Sequence, residues 1–535
     1  MTLRLLATLS LSLSLSLSLS LSLSLSLSLS LLLAATTTQA QELRIGMAAD
    51  VTAMDPHAVN IAPNNQIGWH VFDALVNVDA DVRLIPGLAV SWRAVDPTTW
   101  EFKLRRNLKF HDGSDFTADD VLFSLDRAAT LPNGQYASFV QAITAKQVVD
   151  RYTVRFKTAK PYAMLPPDLN SVFIVSKKAA AGASTEDFNA GKAMVGTGPF
   201  KFVRFARGDR VELARNEAYW GGKPHWDKVS FRIIPGDPAR IAALLAGDVD
   251  LIESIPTADR GRLKTSTAHS LAQKVSWRTI FFHLDQWREV SPFVTDKAGQ
   301  PLAKNPFKDR RVRLAISKAV NRQAIVDRVM EGAAIPASNI VSPPVFAHVK
   351  ELKAEAHDPE GAKKLLAEAG YPEGFGLTLH APNNRYPNDE QITQAMAQML
   401  ARVGIQAKVE AMPINVYLPK ARNGEFSAAM LGWGSFSGDL ALRALMATPT
   451  PDKGYGTWNW SRYSNPKVDQ LLDQGFASVD VKKREATARE AAAIALRDVG
   501  VVPLHHQIAT WALKQPLRYD GRTDEYTFAH HVRPK

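Results

Sequence analysis

Apolar and polar positions change period several times along this chain, and each change predicts an element. Trp100, Phe102 and Leu104 alternate with polar residues, the period of a half-buried strand. Leu108 and Phe110 carry the apolar face past a turn. The segment His111 to Asp115 (HDGSD) is turn chemistry, because Asp-Gly adopts a positive φ easily. A helix start follows. Thr117 is an N-cap candidate, Asp120 stands three residues on as in a capping box, and Phe116 and Val121 occupy the hydrophobic-staple positions. Val121, Leu122 and Leu125 then share one helical face. Leu84 to Leu125 therefore predicts strand, turn and capped helix.

The same grammar recurs. Leu43, Ile45 and Met47 form a first strand that ends in a loop holding Met54, Asp55 and Pro56. Tyr152, Val154 and Phe156 alternate again, and Val195 to Phe205 is a Gly-Pro turn opening a strand. Asp237-Pro238 and Asp358-Pro359 each predict an N-cap with proline at the first helical position, closed by Gly247 and Gly370. Leu377 and Leu379 begin a strand. Ile392, Met396, Met399 and Leu400 make a helical stripe, and Ile405, Ala407 and Val409 the next strand. Tyr417 to Arg422 reads as a helix and Ser427 to Leu431 as a strand. This alternation requires a parallel or mixed sheet with helices on its faces.

Composition narrows the function. The 535 residues are 46% apolar and 22% charged, enough for two or three domains. There is no cysteine, which excludes thiol catalysis and lipid attachment at an N-terminal Cys. The net charge of +11 is scattered, with no basic stripe of the kind that binds nucleic acid. Near the N-terminus, Arg4 precedes a Leu-Ser repeat from Leu9 to Ser30, then Leu31, Leu32 and Leu33. Thr38 and Ala40 fit the small-residue cleavage rule. Residues 1–40 are thus expected to be a secretory signal, with the mature chain starting near Gln41. An uncleaved anchor is the rival, disfavoured because half of the repeat is serine.

The block Leu84 to Leu125 also carries PGLA-x-SW, W-x-F-x-LR, KFHDG and FTADDV, in that order. In these elements the chain resembles the peptide/nickel class, family 5, of extracytoplasmic solute-binding proteins, the receptors of ABC importers. Arg278 to Asp285 (RTIFFHLD), followed by PFKDRRVRLAISKAVNR, and Val501 to Leu513 match its two hinge crossings. The resemblance covers about residues 43 to 530. It implies an α/β fold, the type II periplasmic-binding-protein clam-shell, with two α/β lobes joined by two hinge strands plus an inserted domain. The expected boundaries are lobe I in 41–80, 195–280 and 501–535, the inserted domain in 81–194, and lobe II in 281–500. It further implies a periplasmic, monomeric receptor that is not an enzyme and needs no cofactor or metal, and the absence of cysteine predicts that it is not a lipoprotein. Its expected partners are a di- or oligopeptide or glutathione-like solute and an inner-membrane ABC permease.

Ligands of open α/β sheets bind beyond the carboxyl ends of strands. Two loops satisfy that rule, Pro382 to Asp389 and Gly432 to Asp439. Candidate ligand contacts are Asn384 and Arg385 in the first. In the second, Trp433 is a wall, Gly434, Ser435 and Phe436 line the loop, and Asp439 meets a cation or amine. Trp458 and Asn459 add an aromatic-polar cluster, and Met54 and Phe282 complete the set. Dipeptide binders of the family carry an acidic residue where this chain has Phe436, and an Arg near Glu390 and Gln391. Arg385, a few residues earlier, is the candidate replacement for that Arg, and the loop looks closer to that of glutathione-type relatives. Catalytic signatures are missing: GSFSG has Phe436 where a nucleophile elbow needs Ser. His505-His506 and His530-His531 are adjacent pairs, which on a strand point to opposite faces and chelate poorly. The alternatives are a cell-envelope hydrolase using Asp439 with another cleft carboxylate, and a same-fold receptor for a nickel chelate or an opine.

Overall fold

The computed structural model describes residues 41–535; the expected signal segment and its cleavage site lie outside the described residues. Two long strands, His269–Leu284 and Val502–Lys514, run antiparallel through the middle of a 12-stranded mixed sheet. Each belongs to two cores. Ala272, Trp511 and Leu513 bury their side chains with Leu43, Ile45, Phe200 and Phe231 of the first lobe. Ile280, Phe282, Leu284, Val502 and Leu504 bury theirs with the second lobe.

The register between the two strands breaks at the handover. Val275 pairs with Ile508 and Thr279 with His506, so four steps on one strand oppose two on the other. Ser276, Trp277 and Arg278 occupy this irregularity. A bulge of this kind bends a strand and re-aims its side chains. Trp277 bonds outside the ladder: its backbone N–H donates to the Thr523 carbonyl at 2.9 Å.

On the first-lobe side the sheet continues through Leu251–Glu253, Glu42–Met47, Lys228–Ile233, Arg210–Arg215 and Phe200–Ala206. Glu42–Met47 is parallel to Lys228–Ile233. On the second-lobe side, Gly376–Pro382 is parallel to both Gln406–Met412 and Ala428–Gly434. Helices Asp389–Ala401 and Ile414–Arg422 make the two crossovers. This is the β-α-β-α-β pattern that the apolar stripes predict, and it places both ligand-type loops at carboxyl ends of parallel strands.

Both faces of the second-lobe sheet are covered. Ile280, Phe282 and Leu284 face one core, while Phe281 and Leu431 face another that holds Leu442, Leu445, Leu472 and Ala495. Phe282 is 0% exposed. The expectation that it contacts ligand is therefore corrected: strand alternation turns it into the lobe interior. Truncating a buried Phe of this kind to Ala costs about 3–5 kcal/mol.

A separate antiparallel sheet, Ala89–Asp96, Thr99–Leu104, Thr153–Thr158 and Ile143–Asp150, packs with helix Ala118–Thr130 around a third core. That core gathers side chains from Leu75 to Ile174. The local signals work as read. Gly113 sits at φ 83, the Thr117 N–H donates to the Asp120 carboxylate at 2.9 Å, and Phe116 and Val121 are fully buried. Asp358 caps its helix by accepting from the Gly361 N–H at 2.8 Å. Asp237 differs: Gly236 is the N-cap, and the Asp237 carboxylate pairs instead with the buried Arg240 guanidinium one turn along.

Candidate functional site

A cavity of about 140 Å³ opens around the bulge in the first crossing strand. Trp277 lines it from the strand, Phe436 from the second-lobe loop, and Asp524 and Tyr526 from the C-terminal return. Asn60, Asn65, Trp69, Val78, Asn170, Ser171 and Phe173 complete the lining. The lining is thus aromatic with a few amides, the make-up of a small-molecule site.

The rings brace one another. Trp69 meets Phe173 edge-on at 4.9 Å, and Trp277 meets Tyr526 edge-on at 6.4 Å. The amides are tied to the scaffold. Asn65 accepts from the Tyr136 hydroxyl at 2.7 Å and donates to Asn60 at 2.8 Å. Asn170 donates to the Val76 carbonyl at 3.0 Å. The indole N–H of Trp277 is buried and has no acceptor. An unpaired buried donor costs about 1–3 kcal/mol, so a solute oxygen at this wall would remove a standing penalty.

Arg278, next along the bulge, pairs with Glu525 at 2.8 Å, and Ser276 donates to the same carboxylate at 2.6 Å. Burial works against both charges. The pairing more than offsets it, so the Arg278 pKa ends raised and the Glu525 pKa lowered. Arg385 stands beside this pair. Desolvation, and then repulsion from Arg278, hold its pKa below the usual guanidinium value. Its guanidinium lies over the Tyr386 ring at 5.5 Å and makes no hydrogen bond or ion pair among the described residues.

The other expected contacts divide by what their polar atoms already hold. Asp439 is corrected as a free amine anchor. It is 2% exposed, paired with Arg484 at 3.0 Å, and bonded by the Ser437 hydroxyl and the Leu440 N–H. Arg484 also donates to the Ala163 carbonyl at 3.2 Å, so this ion pair ties helix Val481–Arg497 to the Gly432 to Asp439 loop and to the backbone at Ala163. The hydrolase reading loses the carboxylate it depended on. Asn459 spends its amide inside a turn, donating to Ala447 and Tyr463 carbonyls at 2.9 and 2.8 Å. Ser435 donates to the Ser437 carbonyl at 2.8 Å and accepts from the Ser437 N–H. Asn384 accepts from the Ile414 N–H at 2.8 Å.

Met54 is buried behind the cavity wall, where it shares a second, smaller void with Asn65 and Phe173. Gly434 lies against Trp277: a Cβ there would come within 2.6 Å of the indole nitrogen, so only glycine leaves that ring its place. Trp433 packs on Trp458 at 5.2 Å and, like Trp277, has a buried N–H without an acceptor. Trp458 carries the Arg422 guanidinium over its face at 4.6 Å. Phe436 is the expected contact that lines the cavity directly.

Sequence reading missed every lining residue of the cavity but Phe436, Trp277, Tyr526 and Asp524 among them. One signal was available. Trp277 stands one residue before the RTIFFHLD segment, where strand alternation falters at Ser276 to Arg278. Among the described residues no group of three or more His, Asp or Glu side chains is placed to hold a metal ion. Nor is any helix there long and apolar enough to cross a membrane.

Comparison with known proteins follows the same lines. The family profile described as bacterial extracellular solute-binding proteins, family 5, middle region, matches residues 83–448. The dipeptide-binding protein of Escherichia coli is 29% identical, over 76% of this chain and 78% of the relative. A glutathione-binding protein of Salmonella choleraesuis is 28% identical, over 87% of this chain and 89% of the relative. The periplasmic binding protein DppA of Helicobacter pylori, an ABC-transporter-associated protein solved with the peptide STSA, superposes with a TM-score of 0.72 at 26% identity. It covers 92% of this chain and 98% of that one.

Proposed function

Because the chain belongs to the bacterial extracellular solute-binding proteins of family 5, we propose that it is the periplasmic receptor of an ABC importer, exported by its N-terminal segment. It captures a peptide-like solute between its lobes and delivers it to an inner-membrane permease. The observation that carries this reading is the cavity at the bulge. Its walls come from both lobes and from a crossing strand, so closing the lobes would change the shape of the site directly. Motion of this hinge type is how two-lobed receptors couple capture to a shape that a partner reads. The aromatic lining would bury apolar solute surface, and the unpaired Trp277 N–H would meet a solute oxygen.

Relatives named for dipeptides and glutathione make peptide-like solutes the first to test. Ligand-stripped protein would be heated with dipeptides, tripeptides, glutathione, opines and nickel-histidine chelates. A rise in Tm with at least one peptide-like solute is expected. No rise with any member of the panel would overturn the reading.

A further inference from the structure

Resting on the receptor reading above, we infer that the cavity at the bulge is a side-chain pocket that selects one aromatic ring of the solute, about the size of a phenyl group. Volume sets the first limit. At about 140 Å³ the space is close to the roughly 150 Å³ apolar cavity that takes up a single benzene ring. A fused second ring exceeds it. The rest of the solute, with its charged ends, is therefore held outside this space.

The walls decide what fills it. The rings of Trp69, Phe173, Trp277, Phe436 and Tyr526 line it, drawn from stretches far apart in the chain. Trp69 is set edge-on against Phe173, and Trp277 against Tyr526, which also stacks on Phe528 at 6.0 Å. Rings braced in this way keep their orientation before any solute arrives, so little ordering is needed on binding. Ring walls also favour another ring over an alkyl group of equal size, through edge-to-face and offset contacts.

The polar atoms of the lining exclude a charged side chain. Asp524 is its charged residue, and it forms a salt bridge with Arg522, with both side chains 2% exposed. The Asn65 amide is spent on Tyr136 and Asn60, and the Asn170 amide donates to the Val76 carbonyl. An ammonium or carboxylate entering here would lose its water and gain no counter-ion. One donor of the lining stands open, the buried Trp277 indole N–H. A ring face or a ring-borne oxygen can accept it, and an alkyl chain cannot. Phe436 is half-buried where Phe173 is buried, so its ring can be removed with less damage to the packing around it.

The test is calorimetric titration of mature protein stripped of endogenous solute by unfolding and refolding. The probes are dipeptides of glycine with phenylalanine, cyclohexylalanine, naphthylalanine, lysine or glutamate, each in both orders, the tighter order being read. Phenylalanine should bind about 2- to 10-fold more tightly than cyclohexylalanine. It should exceed lysine and glutamate by about 10- to 100-fold, and naphthylalanine by a similar factor through overpacking. Phe436→Ala enlarges the cavity and should reverse the order of phenylalanine and naphthylalanine. Trp69→Leu opens a different wall and should reverse it too, which keeps the test alive if the first variant does not fold. Equal affinity for phenylalanine and lysine peptides, or the parent's order kept in every folded variant, would overturn the inference. If no dipeptide binds, mass spectrometry of the solute that co-purifies decides. A solute with an aromatic ring supports the inference, and one without a ring overturns it while leaving the receptor reading intact. A protein that binds no probe and carries no solute overturns both.

Discussion

The two loops at the carboxyl ends of the second-lobe strands share a position in the fold, and their charges end in opposite situations. Gly432 to Asp439 offers a carboxylate, and Pro382 to Asp389 offers a guanidinium. Folding brings Arg484 to the first and leaves the second beside another arginine. Asp439 is therefore spent on Arg484, whereas the Arg385 guanidinium makes no hydrogen bond or ion pair among the described residues. A charge in a loop of the right position becomes a ligand anchor only when the fold supplies no counter-ion, and the counter-ion can come from anywhere in the chain.

The comparison breaks most visibly at Asp439. Replacing it with Ala leaves Arg484 buried and unpaired, a change worth about 3–5 kcal/mol. Chemical denaturation should show that loss, while the affinity of protein still folded should change far less than in Trp277→Ala. A variant as stable as the parent with greatly weakened binding would reverse the two roles.

Asp168 sharpens the contrast with a smaller effect. It lies at the same junction, accepting from the Tyr162 hydroxyl at 2.5 Å. Burial pushes its carboxyl up to about 7 from 3.8, against the pull of Tyr162, Arg443 and Arg484. A raised acid favours the protonated folded form. Its contribution is therefore complete below the ordinary Asp value and is lost as pH climbs through the folded one. Stability should decline by about 2–4 kcal/mol between roughly pH 4 and pH 7 from this group. Asp168→Asn should flatten that slope in denaturation curves measured across the range. An unchanged slope would mean that Asp168 stays ionised in the folded protein.

What the chain made legible follows from the range of each signal. Thr117 with Asp120, Gly113 in its turn, and the stripe Ile392, Met396 and Leu400 act over a few residues, so pattern alone places them. Both faces of the second-lobe sheet are buried, so alternation around Phe282 could not say which side meets a ligand. Asp439 depends on Arg484, 45 positions away by residue number. Trp277 depends on a register break set by the opposing strand and on the Thr523 carbonyl from the C-terminal return. The site is made of such long-range pairings, and for that reason the family was readable where its anchors were not.

The central claim is that a small solute is held at the bulge, against Trp277. Native mass spectrometry of the protein released from the periplasm, beside a Trp277→Ala variant, tests it most directly. The account predicts a one-to-one noncovalent complex with a small solute in the parent, depleted in the variant although both are folded. An equally occupied variant, or a parent without any bound solute that no peptide-like compound can load, would contradict it.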